Sequence, residues 1–317
     1  MSGLRITRKT MERCRADRAI SVGQIRAQGL PAETKTTNLH SLKMPDFRAM
    51  KSVLLFIGYP RSGHTLVSAL LDAHPHVALA NEYDLFYKWS MFTETQKRAK
   101  FIYSELYRSS VDAPTSRDVD KGNAAWNYSV PHQWNGRYDQ YVEVIGDKKG
   151  GGTTRMLSSV RSTDVVDELK RAVNVPVRFL HVIRNPYDNI ATMAIRSVVN
   201  RKFISEGKVL NDTGLVAKAI KSYFSLVKQN DALRSHLKPL DVHSADVTRN
   251  PRQALKQICD FVNITCNAEY LKDCASIVFA RPSRTRENVV WTAGMKANVE
   301  HNLKKYAFLS RYSFDTD

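Results

Sequence analysis

The chain has 317 residues, 43% of them apolar and 25% charged, with a formal net charge of +17 and a pI near 9.7. This composition provides a sizeable core, and four cysteines are too few for a disulfide-rich scaffold. The basic balance favours polyanionic ligands: a nucleotide, a sulfated or phosphorylated substrate, or nucleic acid.

Residues 1–48 are predicted to form a basic, flexible N-terminal segment, and residues 49–317 a single domain. The N-terminal segment lacks the apolar core of a secretory signal, and an organelle transit peptide is the alternative to a flexible tail. The chain has no apolar run of about 18 residues or more, so no transmembrane helix is predicted. These features predict a cytoplasmic protein.

Three of the four cysteines, Cys259, Cys266 and Cys274, lie close together without the paired spacing of a zinc site. We expect free thiols in a reducing compartment, with a local bridge among these three left open. Three N-glycosylation sequons, which have little weight without a secretory signal, begin at Asn127, Asn211 and Asn263.

The first predicted elements are a buried strand at residues 51–57 and a helix at residues 66–74, on either side of a short loop. The loop is Gly58-Tyr-Pro-Arg-Ser-Gly-His-Thr65. A glycine-bearing turn before a helix N-terminus binds anions, because unpaired amides and the helix dipole favour negative charge. The spacing is that of a Walker A loop, but His64 replaces its lysine and Arg61 adds a cation.

Strands and helices alternate along the rest of the chain. Further strands are predicted at residues 76–80, 141–145, 175–183 and 240–243. Helices are predicted within 84–108 (one or two), and at 155–172, 186–197, 213–237 and 251–262. This order predicts a three-layer α/β fold, a parallel sheet flanked by helices. A ligand then lies at the carboxyl ends of the strands, where loops 58–65, 146–154 and 184–188 fall. An aromatic-rich loop at residues 109–139 is predicted to cover the substrate, with a packed surface insertion as the alternative.

Tyr59-Pro-Arg-Ser-Gly-His-Thr65, continued by Leu71-Asp-Ala-His-Pro75, resembles the 5′-phosphosulfate loop of the sulfotransferase family, which has a P-loop-like fold. These enzymes move a sulfuryl group from 3′-phosphoadenosine 5′-phosphosulfate (PAPS) to a hydroxyl or amine. The resemblance implies donor contacts by Arg61, Ser62, Gly63, His64 and Thr65. His64 departs from the family's common Thr, so it contacts the bridging oxygen or fills the loop.

A second segment, Val182-Ile-Arg-Asn-Pro-Tyr-Asp-Asn-Ile-Ala-Thr192, resembles the family's 3′-phosphate site. The resemblance implies that Arg184 and Thr192 bind that phosphate, since a guanidinium forks onto a phosphate and a hydroxyl adds one more bond. Arg196 lies one turn beyond Thr192 on the same helix face and is a further candidate. A weaker match, at residues 245–263, resembles the segment that precedes the family's last core helix.

The catalytic residues are also implied by the resemblance. Glu82, at the end of the second predicted strand, resembles the catalytic base of the tyrosylprotein branch, with Asp84 and His64 in reserve. Lys148 resembles the lysine that neutralises charge on the transferred group, with Lys149 as its alternative, and Arg61 is expected to help stabilise the departing bisphosphate. The segment Arg281-Pro-Ser-Arg-Thr-Arg286 resembles the phosphosulfate-covering loop. It implies Ser283 as a transition-state donor and Arg284 or Arg286 as a phosphate partner.

Two other functions fit parts of the sequence. A P-loop kinase or NTPase requires a lysine at position 64 and a Walker B acid that holds magnesium. A nucleic-acid-binding protein agrees with the charge, but no zinc-finger, helix-turn-helix or RNP signature is present. We therefore predict a PAPS-dependent sulfotransferase without a metal. Its acceptor would be a small molecule, carbohydrate or peptide, and a homodimer is possible.

Overall fold

A five-stranded parallel sheet forms the centre of the molecule. The computed structural model describes residues 43–111, 128–133, 141–159, 162–197 and 208–316. The strands are β1 (Ser52–Gly58), β2 (Val77–Ala80), β3 (Val144–Asp147), β4 (Val177–Ile183) and β5 (Leu240–His243). Their order is β2-β3-β1-β4-β5, and every pairing is parallel. The predicted three-layer α/β fold is confirmed.

Helices follow the strands on both faces of this sheet. They are α1 (His64–Asp72), α2 (Leu85–Trp89), α3 (Ala99–Val111), α4 (Gly150–Ser159), α5 (Ser162–Val173), α6 (Pro186–Arg196), α7 (Thr213–Leu237), α8 (Ser244–Arg249), α9 (Pro251–Val262), α10 (Ala268–Ser276) and α11 (Ala293–Leu303). Short 3₁₀ helices span Thr285–Asn288 and Ala307–Leu309.

The central strand β1 is buried over its whole length, which explains its unbroken apolar sequence. Its alternate side chains enter two different cores, because successive residues of a strand point to opposite faces. Val53, Leu55 and Ile57 pack with α3, α4 and α5, whereas Leu54 and Phe56 pack with α1, α9 and α10. The site described below lies at the carboxyl end of this strand.

Several boundaries differ from the sequence-based expectation. The helix predicted at 155–172 is two helices, α4 and α5, and α4 already begins at Gly150. Part of the predicted 146–154 loop is therefore helical. Met44 and Phe47 pack against the core, so ordered packing starts before the predicted domain boundary at residue 49. Most of the predicted substrate-covering loop at 109–139 lies outside the described residues.

The expectation of free thiols is wrong for two cysteines, because Cys259 and Cys266 form a disulfide bond. Cys274 is a buried free thiol. Within the described ranges, no helix has both the length and the apolar character needed to cross a bilayer.

Candidate active site

The loop from β1 to α1 presents backbone groups to solvent and turns two of its side chains inward. Arg61 and Gly63 adopt positive φ values of 70° and 101°, and both are exposed. Ser62 is fully buried instead. The Asn189 side chain on α6 donates a 2.8 Å hydrogen bond to the carbonyl of Pro60, which ties the loop to its neighbouring helix. This bond fixes the loop to α6 beside the start of α1, whose first amides can bind an anion.

His64, predicted as a donor contact, is turned away from that exposed surface. Its Nε2 donates to the carbonyl of Ile57 at 3.1 Å, so Nδ1 faces the Ser62 hydroxyl at 3.0 Å as an acceptor. Burial lowers the pKa of the imidazole to about 4, so the ring is neutral at pH 7. A side chain at Gly150 would lie 2.4 Å from this ring. The His64 ring thus fills the loop from beneath, which is one of the two roles expected for it, and the donor contacts of Ser62 and His64 stay predictions.

A buried polar chain supports the same loop from the side of β4. His181 Nδ1 donates to Asp241 at 3.0 Å, and its Nε2 accepts from the Tyr59 hydroxyl at 2.9 Å. Arg234 contacts both oxygens of Asp241 at 2.7 Å. Because His181 and Tyr59 are fully buried, these bonds satisfy groups that water cannot reach. This series of hydrogen bonds fixes Tyr59, the second residue of the loop, to β4 and β5.

Glu82 lies between two lysines beside the loop. Lys148 Nζ is 3.1 Å from Glu82 Oε1 and 3.4 Å from the Thr65 hydroxyl, whereas Lys149 Nζ is 3.0 Å from Glu82 Oε2. The Lys148 side chain is 6% exposed and the Glu82 side chain 53%. Burial raises the pKa of the Glu82 carboxyl, but the two lysine charges outweigh it and lower the pKa to about 2. Glu82 is therefore ionised at neutral pH.

Asp147, which the sequence analysis missed, holds the backbone of the Glu82 turn. Its carboxylate accepts backbone hydrogen bonds from Tyr83, Asp84 and Leu85 at 2.9–3.0 Å. Burial raises the pKa of this carboxyl to about 6, and the amide hydrogen bonds only partly offset that. Glu82 itself has a positive φ of 64°, a conformation that side chains rarely adopt without such support. The sequence signal for Asp147 was its position at the end of β3, directly before Lys148.

The two lysines give a testable pH dependence. The pKa of Glu82 is depressed, so the pair stabilises the fold above the unfolded pKa near 4.5 and loses this effect as pH falls toward 2. We expect Lys149→Met to reduce the free energy of unfolding at pH 7 by no more than about 1 kcal/mol, because Glu82 is half exposed. Urea titrations at pH 7 and pH 3 should show this difference shrinking at low pH. An equal difference at both pH values would mean that the pair does not form.

A second cationic group lies at the end of β4. Arg184 donates to the hydroxyls of Thr192 at 3.0 Å and Thr285 at 2.8 Å. It also contacts the carbonyls of Ser283 at 3.0 Å and Arg61 at 3.4 Å. The structure thus brings Arg184 and Thr192 together as predicted. Thr285 was missed, although it lies between two predicted residues of the covering segment.

The remaining predicted cations differ in their surroundings. Arg196 is half-buried, and both burial and the charge of Arg61 lower the pKa of its guanidinium. This repulsion between like charges would be relieved by a bound anion. Arg284 lies directly before the 3₁₀ helix Thr285–Asn288 and pairs with Glu287 of that helix at 2.6 Å. Ser283 is exposed, and its carbonyl rather than its hydroxyl is the group that meets Arg184.

Arg286 is not placed as a phosphate partner. Its side chain is fully buried and its guanidinium lies 2.9 Å from Asp188, which is 3% exposed. The backbone amide of Arg286 also donates to Asp188, at 2.9 Å. This pair fastens the segment that carries Thr285 onto the first turn of α6. In this arrangement Arg286 has a structural role, and the phosphate contact expected of Arg284 or Arg286 stays a prediction.

A sequence comparison decides the family. The Sulfotransferase family model matches residues 54–268, well over half of the chain, and the match contains the loop, Glu82, both lysines and Arg184. The chain belongs to the sulfotransferase family. This confirms the resemblance drawn from the two motifs. No curated protein matches the chain significantly.

Solved structures of other sulfotransferases resemble this one at low identity. The sulfotransferase domain of a Synechococcus olefin synthase has 17% identity and a TM-score of 0.46, over 84% of this chain and 98% of that one. A sulfotransferase from Mycobacterium avium has 14% identity and a TM-score of 0.41, over 81% of this chain and 77% of that one. A mouse sulfotransferase complexed with PAP has 14% identity and a TM-score of 0.40, over 84% of this chain and 88% of that one. The family assignment rests on the sequence match, since these values are low.

Among the residues that the structure describes, no group of three or more His, Cys, Asp or Glu side chains is arranged to hold a metal ion.

Proposed function

We propose that this sulfotransferase moves a sulfuryl group from PAPS to a hydroxyl of its acceptor, with Glu82 as general base. The observation that carries the proposal is the position of Lys148, whose Nζ joins Glu82 at 3.1 Å to Thr65 of the loop at 3.4 Å. Glu82, a carboxylate that can accept a proton, therefore lies next to Lys148, a cation that can stabilise the negative charge that develops on the leaving group. Amine acceptors remain the alternative.

The donor has two anionic ends, and the site offers two groups of cations. Arg61, Lys148 and the first amides of α1 suit the 5′-phosphosulfate, since Arg61 is exposed on the loop, Lys148 contacts Thr65, and α1 begins where the loop ends. Arg184, with the hydroxyls of Thr192 and Thr285, suits a 3′-phosphate. The contact between Arg184 and the carbonyl of Arg61 places the two groups side by side. Arg196, whose charge interacts with that of Arg61, adds positive charge to the site.

The proposed chemistry is an in-line displacement at sulfur. Glu82 accepts the proton of the acceptor hydroxyl while the acceptor oxygen forms its bond to sulfur. The bond between sulfur and the 5′-phosphate oxygen breaks, and that oxygen keeps the electron pair. Lys148 and the loop amides stabilise the charge that develops there. When Lys148 interacts with this developing charge, its ion pair with Glu82 weakens. The pKa of the Glu82 carboxyl then rises, which makes the carboxylate a stronger base.

The acceptor is proposed only by class. A hydroxyl on a carbohydrate, a tyrosyl peptide or a small molecule is compatible with a carboxylate base. The tyrosylprotein-like position of Glu82 favours the first two. The proposed homodimer stays a prediction.

Calorimetric titration with adenosine 3′,5′-bisphosphate and with ATP tests the nucleotide preference. Because the second cationic group matches a 3′-phosphate, we expect the bisphosphate to bind about tenfold or more tightly than ATP. Tight ATP binding without a response to the bisphosphate would support the kinase alternative and contradict the proposal.

A variant at Arg184 tests which phosphate each cationic group binds. Arg184→Lys removes the forked guanidinium, so we expect binding of the 3′,5′-bisphosphate to weaken roughly 10- to 100-fold. Binding of 5′-AMP, which lacks the 3′-phosphate, should change less than about twofold by the same reasoning. Arg311→Lys, in an exposed ion pair, is the matched control and should leave both affinities unchanged. Equal losses for both nucleotides would contradict the assignment.

A further inference from the structure

A disulfide bond closes the turn that follows α9. Cys259, in the last turn of the helix, is bonded to Cys266, and both residues are buried in the core. Asn263 ends the helix in the left-handed conformation, with a φ of 62°. The backbone amide of Ile264 then donates to the carbonyl of Cys259 at 3.0 Å. The bond therefore joins two ends of one compact, hydrogen-bonded turn.

The third cysteine nearby does not compete for this pairing. Cys274 is buried, and its sulfur lies 3.7 Å from the carbonyl of Leu70. Burial raises the pKa of its thiol to about 12, and only a thiolate attacks a disulfide. Disulfides persist in oxidising compartments and are rare in the cytosol. The bonded pair is a reason to revise the cytoplasmic location expected from the sequence.

The same turn carries one of the three glycosylation sequons, Asn263-Ile-Thr265. Its side chains alternate between the core and solvent. Val262, Ile264 and Cys266 are buried, whereas Asn263 and Thr265 are exposed. The amide that would receive a glycan and the hydroxyl that completes the sequon thus both lie on the outer side. The disulfide is typical of an oxidising compartment, and in the secretory lumen this exposed sequon is accessible to N-glycosylation.

We propose that this protein matures in the lumen of the secretory pathway, where the Cys259–Cys266 bond forms and Asn263 receives an N-linked glycan. The Cys259 and Cys266 thiols transfer two electrons and two protons to the disulfide bond of an oxidant, which is reduced to two thiols as the Cys259–Cys266 bond forms. The Asn263 amide nitrogen bonds to the anomeric carbon of a lipid-linked oligosaccharide. The carbon–oxygen bond to the lipid diphosphate breaks, and the amide proton leaves with the diphosphate.

The test expresses the protein from its own full-length transcript in animal cells. Thiols are alkylated before lysis, and the mobility of the protein is compared before and after peptide N-glycosidase. Thr265→Ala abolishes the sequon, and Thr265→Ser retains it. Both variants leave Asn263 and its left-handed helix end in place, and the Thr265 carbonyl still accepts from His74. They are therefore matched in structure and differ in the acceptor.

We expect the glycosidase to increase the mobility of the wild-type protein. The part of this shift due to Asn263 should be lost in Thr265→Ala and kept in Thr265→Ser, and any remainder would report the other two sequons, at Asn127 and Asn211. Mass spectrometry of the wild-type protein should find Cys259 and Cys266 protected from alkylation. The same measurement shows whether Asn263 carries a glycan, so the test does not depend on the variants accumulating. An unmodified Asn263, or alkylation of both cysteines in the folded protein, would overturn the proposal.

Discussion

Glu82→Gln is expected to lower the rate of sulfuryl transfer by about 10²- to 10⁴-fold, the usual contribution of a general base. Glutamine has the size of glutamate but does not accept the acceptor's proton. Binding of adenosine 3′,5′-bisphosphate should be unchanged or tighter, because Lys148 and Lys149 lose their internal counter-charge. Transfer from radiolabelled PAPS to phenol, sugar and tyrosyl-peptide acceptors measures the rate, and calorimetry measures binding.

The matched control for this variant is Glu94→Gln. Glu94 is 90% exposed and pairs with Lys97 on the surface, away from the loop. It should leave both transfer and binding unchanged, since an exposed ion pair contributes little. Full turnover in Glu82→Gln would remove Glu82 as the base while leaving the family assignment intact. Loss of binding together with transfer would assign Glu82 a structural role instead.

Arg286→Met is expected to destabilise the fold by about 3–5 kcal/mol, the usual cost of leaving one partner of a buried ion pair alone. Methionine fills much of the same volume, so the main loss is the charge that compensates Asp188, which is 3% exposed. Urea unfolding at pH 7 measures the change. Binding of the 3′,5′-bisphosphate should also weaken, since this pair holds the segment that carries Thr285 against Arg184.

Arg311→Met provides a matched comparison for this prediction. Arg311 also contacts both oxygens of its partner, Asp246, at 2.7 and 2.8 Å, but both side chains are about two-fifths exposed. We expect a loss of no more than about 1 kcal/mol there. Equal losses in the two variants would mean that burial does not govern the Arg286 pair. Loss of binding in Arg286→Met without loss of stability would restore Arg286 as a direct phosphate partner.

The regular elements near the site could be predicted because local patterns determine them. The uninterrupted apolar run of β1, with a glycine-bearing turn after it, predicts a buried parallel strand that leads into a helix. Asn185 and Pro186 mark the start of α6, where Asn185 accepts from the amide of Tyr187. The region of 155–172 was harder, because the break between α4 and α5 has no strong glycine or proline signal.

The sequence alone determined the family-defining pieces: the loop at 58–65, the arginine and threonine after β4, and a carboxylate and two lysines at neighbouring strand ends. Only the tertiary structure decided which of these side chains are buried and which groups they pair with. His64 and Arg286 look like ligand contacts in sequence, but one fills the loop from beneath and the other is buried against Asp188. Asp147 and Thr285 acquire their roles only through residues distant in sequence. Periodicity and spacing report local conformation, whereas burial and pairing depend on the segments that the fold brings together.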